Sequence, residues 1–373
     1  MNAARAEAPP LPRLTSTDLG RLAVGARVLA AGTEESAYRV ALDWAGAELA
    51  AHGPVPLLPP ERLGGVGLCV CVTLVGASAA LAEHLPTGEE PLKAVAAVER
   101  VVGRPVEAVV ALNTAAENAL IALATAARCG LPLVDGDGCG RVLPLLEQTV
   151  FTLAGVAPVP LALGTCDGDV ITIESAGSSV EELVRPLVLA VGGWAVAAAY
   201  PMDGTALAGC LVPATVSRAL AAGSATERER FAPWRPTRLC RGRITAVEHA
   251  PDTVRDGGSG AARDFLDAAA LPSRPTSVVI SEAEGLRRRF RLEAHNEVLL
   301  ALGDGAVVAA APDQILILSA ADGSVVDVEH AVLGTEVEVV VIEAAPPWHT
   351  REGRALARMG VPALMERNGG GPW

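Results

Sequence analysis

The 373-residue chain has no surplus of basic charge: 30 Lys and Arg stand against 43 Asp and Glu, a formal net charge of −13. Nucleic acid and anionic membrane surfaces are bound through a basic face, so neither is expected as a partner. No apolar run is long enough to span a bilayer, and the longest, Leu187 to Tyr200, is interrupted by Gly192 and Gly193. Residues Met1 to Arg13 are rich in Ala and Pro without an apolar core segment, so a secretory signal is not expected there. The seven cysteines include no CxxC pair and form no small-scaffold disulfide pattern, which suits a reducing compartment. There is no HxH or HExxH spacing, so His84, His295 and His349 are only loose candidates for a metal site. No tandem repeat is present. From these absences a soluble cytoplasmic protein is expected.

What is present is apolar: half of the residues, enough for two cores in a chain of this length. Helical periods at Leu19–Leu29, Tyr38–His52, Glu89–Val102 and Asn118–Cys129 alternate with buried strands at Val66–Val75, Ala108–Leu112 and Leu131–Val134. This is the rhythm of a layered α/β domain. Pro158–Leu163 and Asp169–Glu174 read as a hairpin across Thr165-Cys-Asp-Gly168. From Cys240 onward the period becomes two, with Gly303-Asp-Gly305-type turns, as in an antiparallel sheet. The expected fold class is therefore an α/β N-terminal domain plus a mainly antiparallel β C-terminal domain. The expected boundaries are a flexible N-terminus over 1–14, the α/β domain over 15–175, a helical connecting region over 176–239, a β-rich domain over 240–345 and a C-terminal segment over 346–373. Within them, 250–275 reads as an insertion or mobile loop. The basic run Arg287-Arg288-Arg289-Phe290-Arg291 reads as a solvated strand face. Cys69 and Cys71 alternate on one strand and read as small buried side chains.

Chemistry concentrates after Val134, where an apolar strand meets Asp135-Gly-Asp-Gly-Cys-Gly-Arg141. Ligands of open α/β sheets gather at the carboxyl ends of strands, so two carboxylates spaced i, i+2 there can serve as a base or as metal ligands. Gly136, Gly138 and Gly140 permit positive φ and close approach of the backbone to a ligand. Arg141 can clamp an anion or pin a carboxylate in two-point geometry. The same residues also suit a turn that caps the following helix, and the local sequence leaves both readings open. Asn113 and Asn118 are expected at a neighbouring strand end on the same side.

Several of these stretches, taken in order, resemble one family, the S-methylthiohydantoin desulfurase-like proteins. The likeness is carried by Asp18-Leu19 with Leu29, the Asn118–Arg128 helix and, above all, Leu131-Pro-Leu-Val-Asp-Gly-Asp-Gly-Cys-Gly-Arg-Val-Leu-Pro144. It continues through Gly192-Gly193, Tyr200-Pro-Met202, Arg241-Gly242, Asn296-Glu297, Pro312-Asp313, Pro346-Pro-Trp348 and Glu352-Gly353. The resemblance implies a two-domain protein that removes a methylthio group from a five-membered cyclic amide. Water then attacks a carbon bonded to two nitrogens and a sulfur, which calls for a carboxylate base or a metal-bound hydroxide. In that reading Asp135, Asp137 and Arg141 are catalytic. Gly32, Asn113, Asn118, Gly138, Gly140 and Asn296 contact the substrate. The cofactor is open, with a divalent metal such as zinc as the candidate, and a homo-oligomer is expected.

The chain departs from the family pattern where a glycine run is usual: Gly32-Thr-Glu-Glu-Ser-Ala37 keeps only Gly32. Asn113 and Leu145 stand where acidic residues are usual, and Cys139 where Met is. The reading is thus an enzyme that cleaves a cyclic amide or thiohydantoin-like substrate by hydrolysis or elimination. The alternatives are a ring-forming biosynthetic enzyme or a catalytically silent relative that binds a small molecule or a subunit.

Overall fold

The computed structural model describes residues 10–30, 35–143, 145–174, 179–227, 229–249, 276–295, 297–328 and 331–358, with residues 249 and 295 described by their backbone alone. The expected loop 250–275 and the end of the chain from 359 lie outside the described residues. The first part of the chain forms β1 (Arg13–Leu14), α1 (Ser16–Ala26), α2 (Glu35–His52), β2 (Val55–Leu58), β3 (Leu68–Gly76), α3 (Ser78–Glu83), α4 (Glu89–Val102), β4 (Val106–Ala111), α5 (Glu117–Cys129), β5 (Leu133–Asp137) and α6 (Val150–Leu153). It continues through β6 (Leu161–Thr165), β7 (Val170–Ile173), α7 (Val180–Ala190), β8 (Trp194–Asp203), α8 (Gly204–Cys210), β9 (Val212–Pro213) and α9 (Thr215–Ser224). All these strands join one mixed sheet in the order β1-β2-β5-β4-β3-β8-β6-β7, with β9 beside β5. Strands β2, β5, β4 and β3 run parallel, and β8, β6 and β7 extend the sheet antiparallel.

Local sequence explains most of these elements. Thr15 is the N-cap of α1, and its N–H donates to Asp18 Oδ2 at 2.9 Å. Helix α4 carries Glu89 and Glu90 in its first turn and Arg100 in its last, and it stops at Gly103 with φ 74°. Along β3, Leu68, Val70 and Val72 enter the core beneath α2 and α5, whereas Cys69 and Cys71 enter the core on the opposite face with Phe151 and Tyr200. Both cysteines are fully buried, as their alternation suggested, and burial raises the Cys69 thiol to about 12.

Two boundaries need correction. Residues 176–239 are not a helical connector, because β8 lies inside the sheet between β3 and β6 and β9 extends β5. Arg13 and Leu14 are not a free N-terminus either, since they pair with Pro56 and Val55 of β2. The C-terminal part is a closed six-stranded antiparallel barrel of β10 (Thr237–His249), β11 (Thr276–Glu282), β12 (Arg289–His295), β13 (Glu297–Gly303), β14 (Ala306–Ser319) and β15 (Glu336–Ile342). On its outside Arg288 pairs with Glu282 and Arg291 with Glu248 and Glu293, so the basic run is an ion-paired strand face. After β15 the chain returns to the first domain, where Trp348 and Ala357 fill the core on the Cys69 face.

Candidate functional site at the domain junction

The acidic corner is built differently from its sequence pattern. Strand β5 does not end at Val134 but runs through Asp137, so Asp135 and Asp137 belong to a fully buried strand end and not to a turn. Asp135 reaches α9: its oxygens accept the Ser217 N–H at 2.9 Å and the Ser217 hydroxyl at 2.5 Å. It thereby satisfies a donor of the first helical turn from outside the helix. Asp137, 1 % exposed, turns inward instead. Its Oδ1 accepts the N–H groups of Cys139 at 3.0 Å and Gly140 at 2.6 Å, and its Oδ2 accepts that of Thr114 at 2.8 Å. Burial outweighs these donors and holds its carboxyl above the usual range.

The glycines also have protein neighbours. Only Gly140 has positive φ, 71°. A Cβ on Gly136 would stand 2.1 Å from Leu211, and one on Gly138 2.6 Å from the Phe151 ring. The close approaches at Gly136 and Gly138 are thus to side chains of the chain itself.

Asp137 folds the corner so that Arg141 points across to the barrel. Arg141 is buried; its Nη2 donates to Glu297 Oε2 at 3.2 Å, its Nη1 to the Pro312 carbonyl and its Nε to the Val142 carbonyl at 3.1 Å. Glu297 opens β13 and is itself buried. Burial raises its carboxyl to about 7, although Arg141 pulls the other way. Nearby, Gln314 Nε2 donates to the Leu29 carbonyl, while its buried Oε1 has no partner among the described residues. Val28, Leu29, Ala115, Leu316 and Val340 form one apolar cluster around this contact, with Val142 packed against it. Three pieces of the α/β domain, ending at Leu29, Ala115 and Val142, therefore converge on one edge of the barrel.

Asn113 and Asn118 lie together at the ends of β3 and β4. Asn118 Oδ1 accepts from Thr73 Oγ1 and the Leu74 N–H, both at 2.9 Å, and Asn113 Oδ1 accepts from the Ala115 N–H at 3.2 Å. Gly32, Asn296 and the His295 side chain lie outside the described residues. His84 is exposed, and His349 stands 3.5 Å from Asp313. Among the described residues no three His, Cys, Asp or Glu side chains converge as a metal site, and the oxygens of Asp135 and Asp137 already carry protein donors. These residues therefore do not fit a metal at the corner. The sequence reading missed Glu297 as a site residue, and its signal was a lone carboxylate opening an otherwise apolar strand.

A family model described as the S-Me-THD-like N-terminal domain matches residues 17–175, and one described as the S-Me-THD-like C-terminal domain matches residues 175–365. The chain belongs to the S-methylthiohydantoin desulfurase-like (S-Me-THD-like) family. A solved structure of a Chromobacterium violaceum protein shares the S-Me-THD-like chain's fold with a TM-score of 0.69 at 22 % identity, over 97 % of this chain and 99 % of that one. No curated protein matches this S-Me-THD-like chain. Among the described residues no helix is long and apolar enough to cross a membrane.

Proposed function

We propose that this family member cleaves the exocyclic carbon–sulfur bond of a thiohydantoin-like cyclic amide with water, and that Glu297 is its general base. The observation that carries this reading is the buried Glu297–Arg141 pair at the domain junction, a carboxyl raised to about 7 beside a cation that holds it in place. A base poised near neutrality suits attack by water. Asp137, spent on three backbone N–H groups, becomes a positioning residue that shapes the corner before Arg141, and Asp135, spent on Ser217, holds α9 against β5. The amide of Asn113, whose Nδ2 has no acceptor among the described residues, is left to donate to a ring nitrogen.

In the reaction, Glu297 takes one proton of water as the oxygen bonds to the ring carbon. The carbon–sulfur bond breaks, methanethiolate leaves with the electron pair and is protonated to methanethiol, and the second water proton ends on a ring nitrogen as the new carbonyl forms. The test is release of methanethiol into the headspace from S-methylthiohydantoin. Glu297→Gln is expected to lower the rate at least about 100-fold. Undiminished release by that variant removes Glu297 from the mechanism. A second reading, a silent small-molecule binder, is favoured by the saturated state of Asp135 and Asp137; it predicts no methanethiol from the unaltered protein.

A further inference from the structure

A cavity of about 290 Å³ opens beside the junction, between the end of α1, the segment after α9 and the loop that follows β14. We infer that this cavity is a binding site for the carboxylate of a small organic acid, with Arg230 as the residue that receives it. Its lining is mixed: Val24, Val28, Phe231 and Val325 supply an apolar side, and Arg27, Arg230, Ser324 and Asp327 a polar one. The polar side holds two guanidinium groups. That of Arg27 lies 4.3 Å above the Tyr38 ring and is paired with Glu35, so its position is set before any ligand arrives. That of Arg230 has no hydrogen bond or ion pair among the described residues, and its Nε is buried without an acceptor. Asp327, the acidic side chain of the lining, has a partner of its own.

A buried guanidinium N–H without an acceptor is a ready donor, and a carboxylate oxygen placed against it would form a charge-assisted hydrogen bond. The apolar side of the lining gives a hydrocarbon or aromatic body a surface that a bare inorganic anion cannot use. The lining comes from both domains, so an occupant would bridge them and raise the melting temperature in proportion to its saturation.

The inference stands apart from the reaction proposed above, because binding is read without turnover. The probe is benzoate, titrated into the full chain by calorimetry and followed in parallel by thermal shift, with benzamide and inorganic phosphate as comparisons. Saturable benzoate binding is expected, with benzamide and phosphate each weaker by at least about tenfold. Arg230→Gln is expected to weaken benzoate by a similar factor of about ten while keeping the melting temperature of the ligand-free protein. Equal binding of benzamide, phosphate binding as tight as benzoate, an unaffected Arg230→Gln variant, or no saturation by benzoate each overturns the assignment. Should Arg230→Gln fail to fold, the three-ligand comparison on the unaltered chain decides.

Discussion

At the scale of single residues, Glu297 makes stability depend on pH with a definite sign. Its folded carboxyl is raised from 4.5 to about 7, so the unfolded chain gives up this proton first as pH rises. The contribution is fully present below about pH 4.5 and is lost as pH rises to about 7, an order of 3 kcal/mol over that window. Glu297→Gln, which cannot ionise, is expected to gain on the unaltered protein by that amount between pH 4.5 and 8 in urea titrations. Parallel stability curves for the two would show that Glu297 titrates normally. Asp137 makes a second residue-scale case, because both of its oxygens accept backbone N–H groups. Asp137→Asn must turn an amide NH2 against a buried donor whichever way it flips, at a cost on the order of 2–3 kcal/mol. A carboxylate free for catalysis predicts a nearly unchanged melting temperature, so that result would return Asp137 to the candidate bases.

At the scale of elements, the decisive packing is that of α1 on α9. A Cβ on Gly25 would fall 1.7 Å from the Ala219 carbonyl oxygen, and one on Gly223 would fall 1.8 Å from that of Arg21. The two antiparallel helices touch backbone to backbone, and Asp135 holds the N-terminal end of α9 against β5. Gly25→Ala has to part the helices, at an expected cost of about 3 kcal/mol by urea unfolding. A loss below about 0.5 kcal/mol would show that α1 shifts freely. Much of the element order was legible in the sequence: α4 ends where its glycine says, and the β3 cysteines alternate as their spacing says. The α1–α9 contact was not, because helical periodicity reveals an apolar face but not which helix, some two hundred residues away, will cover it. Strand β8 was hidden for another reason. Ala195, Ala197, Ala198 and Ala199 have low β propensity, and only burial on both faces of a central strand makes them sheet. The Asp137 end of β5 was hidden likewise, since Asp and Gly read as turn unless backbone donors are known to meet them. Glu297 stood in plain view, but its meaning required Arg141, 156 positions earlier.

At the scale of the molecule, the chain leaves the α/β domain to build the barrel and then comes back, so the domains are tied at more than one place. Trp348 Nε1 donates to the Cys139 carbonyl at 2.9 Å, and Gln148 Nε2 to that of Leu356 at 2.9 Å, which fastens the returning segment to the acidic corner. The Arg141–Glu297 pair and the Leu29–Gln314 contact fasten the barrel to the same corner from the other side. The two domains are therefore expected to unfold together, and the pair to be the pH-sensitive part of the joint. Arg141→Met removes the buried cation. Above pH 7 this leaves Glu297 either ionised and unpaired or forced to take up a proton, at a cost of roughly 3–5 kcal/mol. At pH 5 Glu297 is already protonated in the folded state, so only hydrogen bonds are lost and the cost falls to about 1–2 kcal/mol. Urea unfolding of Arg141→Met at the two pH values measures the difference directly. Equal costs would mean that charge does not couple the corner to the barrel. A second, separate unfolding transition in the unaltered protein would mean that the domains are not coupled at all.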